Sequence, residues 1–243
     1  MIERRIAVNT HGRYLVVPPA EDVPAGLLVG FHGYAEGAES QLERLRAIPG
    51  SDRWRLIAIQ GLHRFYQRRT NEVIASWMTR QDRDLAIADN LAYVEGVLDA
   101  VSREYDQAAG ELRRDTSAFA HQVGDELRRD KPRLVFAGFS QGVAMAFRAA
   151  CATARRVDGV IAVGGDVPPE IDVASLARVH TALVCRGARD EWYTDEKFQQ
   201  DVARLREAGA AVHPVAFDGG HEWSAAVLDA ASAFLQNAME QRR

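Results

Sequence analysis

Cysteine and lysine are nearly missing from this chain. The two cysteines, Cys151 and Cys185, each fall in an apolar stretch, and such places suit small core residues rather than a disulfide or a metal site. Lys131 and Lys197 are the only lysines, so arginine supplies almost all of the 30 basic side chains, which reads as a compositional bias. Against 34 acidic residues the formal net charge is −4, which leaves no basic surplus for nucleic acid or an anionic membrane surface. No apolar run approaches the length of a membrane-spanning helix. The opening stretch, MIERRIAVNTHGRYLVV, lacks the apolar segment of a secretory signal, so the expected compartment is the cytoplasm. Neither a repeat nor a low-complexity linker divides the chain.

What is present is apolar and periodic. Of the 243 residues, 47% are hydrophobic, enough for one large core and a single domain over residues 1–243. Residues 2–8 and 14–17, around Thr10-His11-Gly12, predict an N-terminal antiparallel hairpin. Strands are expected over 26–31, 55–60, 134–137, 159–163, 181–186 and 212–217. Helices are expected over 38–47, 195–207 and from about 221 toward 240. Residues 61–83 show neither period and read as a long functional loop carrying Phe65, Tyr66 and Trp77. Ile87, Leu91, Val94, Leu98, Val101 and Tyr105 step by four and three, a strong helical signal. The pattern continues weakly toward Leu127, predicting a helical extension at about 102–130 with a break near Asp115–Ser117. Strands alternating with helices imply an α/β fold, with a mostly parallel central sheet and helices on both faces.

The stretch Arg133 to Cys151 organises the rest. Apolar residues fit for a buried strand lead into Gly138-Phe139-Ser140-Gln141-Gly142, and an Ala- and Met-rich run fit for a buried helix follows. A strand turning sharply into a helix strains the turn residue and lifts its side chain above the sheet edge. The helix N-terminus beneath it carries partial positive charge. Ser140 is therefore the candidate nucleophile.

A serine hydroxyl needs a base, and the base needs an orienting group. Of the seven histidines, His221 follows Asp218-Gly219-Gly220, between the last strand and the last helix, and so belongs at the sheet edge of Ser140. His180 and His213 stand at strand starts, on the opposite edge. His11 falls in the hairpin turn and His121 in a helix. Asp190, after the strand ending at Arg186, is the candidate acid, with Asp166 after Gly164-Gly165 as its competitor. The order Ser140, Asp190, His221 is the nucleophile, acid, base order of the α/β-hydrolases. Two backbone N–H groups must face the developing oxyanion; those of Gln141 and of Tyr34, in His32-Gly33-Tyr34, are best placed. His32 is expected to pack beneath that loop.

With these residues in place, the sequence resembles the phospholipase/carboxylesterase group of the α/β-hydrolases, which includes acyl-protein thioesterases. Phe31-His32-Gly33, Gly138-Phe139-Ser140-Gln141-Gly142, Asp190 and Gly220-His221-Glu222 carry the resemblance. It implies an α/β-hydrolase fold with an eight-strand-like sheet, hydrolysis of esters or thioesters, no cofactor and no metal. It supports Ser140 as nucleophile, His221 as base, Asp190 as acid, and Tyr34 and Gln141 as oxyanion donors. Val143 after the elbow, the long segment 102–130 and the loop 61–83 depart from the group's usual pattern. A homodimer is compatible with the resemblance.

The expected activity is thus a carboxylesterase working through an acyl-enzyme on Ser140. An acyl thioesterase is the alternative, and a non-catalytic ligand-binding protein of the same fold the remoter one. The expected partner is a small-molecule ester or acyl thioester. Phe65, Trp77, Trp192, Tyr193 and Trp223 are candidates to line its pocket. Arg64, Arg68, Arg69 and Arg80 read as a solvated, charged loop.

Overall fold

Runs apolar on both faces form strands that can only be satisfied in the middle of a sandwich of helices. The strand β2, Gly26–Phe31, is buried at every residue, as are β7, Gly159–Val163, and β8, Thr181–Gly187. The computed structural model describes residues 1–20, 25–112 and 132–240.

In chain order the elements are β1 (Arg13–Val17), β2, α1 (Ala38–Ala47), β3 (Arg55–Gln60), β4 (His63–Tyr66), β5 (Val73–Ser76) and α2 (Arg83–Leu112). After them come β6 (Arg133–Phe139), α3 (Gln141–Ala152), β7, α4 (Val173–Leu176), β8, α5 (Asp195–Glu207), β9 (Ala211–Phe217) and α6 (Ala225–Glu240). Among the described residues the main sheet has seven strands in the order β1-β3-β2-β6-β7-β8-β9. All neighbours are parallel except β1 and β3. This is the α/β-hydrolase arrangement.

Side chains alternate along each strand, so the sheet buries two cores. Leu27, Val29 and Phe31 of β2 and Leu134 and Phe136 of β6 pack with α2, α3, α4 and α5. Leu28, Val135, Ala137 and Phe139 point the other way, onto α1 and α6. The strand order reverses between β2 and β6, and ligands of open α/β sheets bind in the crevice where this happens. The two loops that leave the sheet there carry Tyr34 and Ser140.

Three expectations need correcting. Residues 2–8 form no strand and are exposed, so the antiparallel pairing at this end joins β1 to β3 instead of closing a hairpin. Ile2, Ile6 and Val8 share the even positions of this stretch, but all three are exposed and have no face to bury among the described residues. The sheet accordingly has seven described strands where eight were expected. Residues 61–83 contain a two-stranded antiparallel sheet, β4 with β5, whose strands are only four residues each and of which β4, HRFY, is largely exposed, so no strand period stood out. The last helix begins at Ala225, four residues after His221. The helix expected from Ile87 runs unbroken through α2; the break near Asp115–Ser117 and the rest of the extension lie outside the described residues.

Candidate active site

Ser140 sits between β6 and α3 with φ 51° and ψ −120°, a conformation that L-residues rarely adopt and that surrounding packing must enforce. Two glycines make that packing achievable. A Cβ on Gly142 would lie 2.1 Å from the carbonyl oxygen of Phe31, and one on Gly138 would lie 2.5 Å from that of Gly142. The Ser140 N–H donates to Val163 O at 2.9 Å, fixing the turn to the neighbouring strand. Gln141 opens α3, so its N–H is one of the amides that no helical carbonyl can satisfy.

His221 follows β9, and its Nδ1 lies 2.8 Å from Asp190 Oδ2. The other carboxylate oxygen, Oδ1, accepts the backbone N–H groups of Trp192 at 2.9 Å and Tyr193 at 3.0 Å. The Asp190 side chain is 1% exposed, so these donors replace the water that an ionised carboxylate needs. With Oδ2 as acceptor, the ring proton sits on Nδ1 and leaves Nε2 as the free base. The imidazole rests against Phe139, ring centroids 5.1 Å apart. Asp166 makes no such bond: it lies 3.3 Å from Lys197 and is half exposed.

The loop after β2 is braced from below. Glu36 accepts the Gly33 N–H at 2.7 Å and takes Arg44 bidentately, at 2.5 and 2.7 Å. Burial pushes the Glu36 carboxyl up, but Arg44 and the Gly33 amide together hold it below its ordinary range. The Ala35 N–H donates to Ala75 O at 3.0 Å. That leaves the Tyr34 N–H, among the described residues, without a protein acceptor in this loop. His32 packs beneath, its Nδ1 donating to Gly33 O at 2.7 Å while Nε2 accepts the Gly61 N–H at 3.0 Å. Both nitrogens are committed, and burial lowers the pKa of the ring, so His32 is a neutral structural group.

Ser140, Gln141, Tyr34 and His221 all line one groove of about 630 Å³, with Trp192, Tyr193, Asp166 and Lys197 along it. A second arm of about 670 Å³ shares Tyr34, Gln141, Met78 and Arg83 and is lined further by Phe65 and Arg80. A family model described as phospholipase/carboxylesterase matches residues 13–239. The chain belongs to that family. Among curated protein sequences none matches it. Esterase PE8 superposes with a TM-score of 0.64 at 20% identity, over 94% of this chain and 100% of its own. Acyl-protein thioesterase 2 of Zea mays gives 0.65 at 17%, over 94% and 100%. A carboxylesterase from Mesorhizobium loti gives 0.63 at 18%, over 93% and 94%. At such identities the likeness is one of fold.

The aromatic candidates divide. Trp192 is exposed on the groove, and Phe65 stacks near Tyr34 in the second arm with centroids 5.9 Å apart. Tyr193 lines the groove but is almost wholly buried, its hydroxyl donating to Asp201 at 3.1 Å. Trp77 does not line either arm: it is fully buried, packs against His32 and donates to His32 O at 2.8 Å. Trp223 also lies off the groove, against Phe139 on the α6 side of the sheet. A tryptophan next to a loop end is drawn into the core whenever its ring has a face to bury, and the sequence does not show that face.

Sequence reasoning missed two supports. The Glu36–Arg44 pair had no motif to mark it, although Glu36 stands two residues after Tyr34. The Gln141 side chain was passed over: its Oε1 accepts the Trp77 N–H at 3.0 Å and its Nε2 donates to Ser76 Oγ at 3.1 Å, tying the elbow to the end of β5.

Proposed function

We propose that the protein is a serine hydrolase of carboxylic esters, with Ser140 as nucleophile, His221 as base and Asp190 as the acid that orients it. The observation that carries this is the conjunction at one groove of a strained serine and a histidine whose Nδ1 is held 2.8 Å from a buried carboxylate. Ser140 Oγ attacks the ester carbonyl as His221 Nε2 takes its proton. The backbone N–H groups of Tyr34 and Gln141 receive the oxyanion, the alcohol leaves with the proton from His221, and water activated by the same nitrogen releases the acid. No step calls for a metal or an organic cofactor.

The same steps cleave a thioester, and one structural neighbour is named an acyl-protein thioesterase. Two open arms meeting at the oxyanion donors accommodate either leaving group. We assign the protein to the cytoplasm, a reading supported by its having only two cysteines, Cys151 and Cys185, both free thiols in the packed interior. Among the described residues no helix is long and apolar enough to cross a membrane.

A fluorophosphonate probe should label Ser140, and Ser140→Ala should lose the label and lower ester turnover by roughly 10⁴-fold or more while remaining folded. Near-normal turnover in folded Ser140→Ala would end this reading. A panel of matched esters and thioesters then separates the two substrate types.

A further inference from the structure

One wall of the groove takes no part in the chemistry above. Gln141, Ala144 and Arg148 line it, spaced by three and four residues and so stacked on one face of α3. At 1.5 Å of rise per residue, Arg148 lies about 10 Å along the helix from Gln141. Its side chain is 5% exposed. One edge of the guanidinium is occupied, Nε and Nη2 donating to Glu170 Oε1 at 2.9 and 2.5 Å. The remaining nitrogen, Nη1, is buried and has no hydrogen-bond partner among the described residues.

Arg83, at the start of α2, lines the same groove and approaches the same Glu170 oxygen at 3.4 Å. Two guanidiniums therefore share one carboxylate, and the cluster is net positive. Asp84, 3.8 Å from Arg83, is almost fully exposed and offsets little of that charge. Farther along, Lys197 and Asp166 face each other at 3.3 Å and cancel. Buried charged donors in folded proteins are nearly always paired, so a buried guanidinium nitrogen left unpaired on a side chain that lines the groove marks a place for an acceptor.

We propose that the groove selects esters or thioesters bearing an anionic group at the end remote from the scissile carbonyl, and that Arg148, assisted by Arg83, is the residue that reads it. This rests on the serine-hydrolase reading of the site and names the substrate class. An anionic oxygen at Nη1 gains a charge-assisted hydrogen bond, and the fixed plane of the guanidinium gives it direction. The neutral ester of the same shape leaves Nη1 as it stands.

The test compares specificity constants for charged and neutral esters of matched length. On the acyl side, monoethyl adipate and suberate are set against ethyl hexanoate and octanoate. On the alcohol side, the hexanoyl ester of 3-hydroxypropanoic acid is set against propyl hexanoate. The charged member should win by roughly 10- to 100-fold on one side, the range of a hydrogen bond to a charged group. Arg148→Met should bring that ratio close to one, and Arg83→Gln should lower it several-fold. Glu170→Gln should raise it, since it removes the opposing charge and releases Nε and Nη2. A merely structural Arg148–Glu170 tie would instead lower both specificity constants in Glu170→Gln and leave their ratio unchanged. Wild-type turnover of neutral esters with no advantage for the charged member on either side overturns the inference. So does an unchanged ratio in Arg83→Gln, which keeps it open to refutation should Arg148→Met fail to fold. Failure of the underlying reading looks different: neither ester turns over and Ser140 takes no fluorophosphonate, and the inference falls with it.

Discussion

Asp166 and Asp190 each follow a parallel strand, β7 and β8, and leave the sheet at the same edge. The protein treats them differently. Asp190 is buried, with one oxygen held by two backbone amides and the other by His221. Asp166 is half exposed and pairs with Lys197 at the surface, 3.3 Å away. A place at a strand end is common to both; burial and the number of fixed donors are not. A carboxylate becomes an orienting group when its surroundings leave it a single way to point. The turn after β8 gives Asp190 such surroundings by aiming the Trp192 and Tyr193 amides back at its side chain.

The largest effect should therefore come from Asp190→Asn. The two amides keep their acceptor by claiming the amide oxygen, which leaves the side-chain NH₂ facing His221 Nδ1. The ring must then carry its proton on Nε2, where the proton of Ser140 has to go. Turnover should fall by roughly 10⁴-fold with the fold intact, the scale seen for a wrong imidazole tautomer. Steady-state kinetics with circular dichroism checks it, and activity within tenfold of wild type would dissolve the contrast between the two carboxylates.

Asp201, on α5, joins the two loops. Its Oδ2 accepts the Val167 N–H at 2.9 Å from the β7 loop and the Tyr193 hydroxyl at 3.1 Å from the β8 loop. Asp201→Ala strands both donors in a buried place, at about 1–3 kcal/mol each. A clear drop in Tm should result, with the loss in turnover secondary. Burial raises the Asp201 carboxyl from its ordinary 3.8 to about 6. The folded state thus binds this proton more tightly than the unfolded chain does. The stability it contributes is complete below about 3.8 and disappears as pH rises through about 6. Asp201→Asn cannot ionise, so between pH 4 and 7 the urea midpoint of wild type should fall relative to that of the variant. Parallel midpoints across that range would refute the assignment.

Tyr193→Phe asks less. It removes one donor from the carboxylate and keeps the ring in its T-shaped contact with Phe198. The loss should be about 1 kcal/mol, visible as a fall of about 2–4 °C in Tm for a chain of this size.

How far the sequence could be read follows the same physics. The parallel strands were legible because burial on both faces demands unbroken apolar runs, as in GLLVGF and RLVFAGF. That Ser140, Asp190 and His221 would gather at one sheet edge was legible because each follows a strand, buried on both faces for Ser140 and Asp190 and a half-exposed edge strand for His221. The β4–β5 hairpin was not, since HRFY is largely exposed and carries no apolar alternation. Nor was the fate of the tryptophans: Trp77 and Trp192 both stand in loops beside the site, yet one is sealed under the sheet edge and the other lies open. Arg148 was invisible for a different reason. It looks like an ordinary polar position on α3, and only the packed structure shows that Glu170 covers two of its nitrogens and not the third.

The smallest effect is the one that completes the comparison. Asp166 lines the groove and its charge is within reach of the site, so a purely positional argument would give it a role. Its partner Lys197 also donates to Trp192 O at 3.0 Å, so the lysine stays anchored to the β8 loop when the carboxylate is neutralised. Asp166→Asn keeps the shape and a hydrogen-bonding oxygen, and exposed ion pairs contribute about 0–1 kcal/mol. The expected change in turnover of a neutral ester is therefore within about fivefold, the factor that 1 kcal/mol supports. The charge left on Lys197 should also make this small effect depend on ionic strength, fading as salt screens it. Kinetics on Asp166→Asn at low and high salt tests both parts. A loss comparable to that of Asp190→Asn would move the acid to the end of β7, and the 2.8 Å contact between His221 and Asp190 would then be structural only.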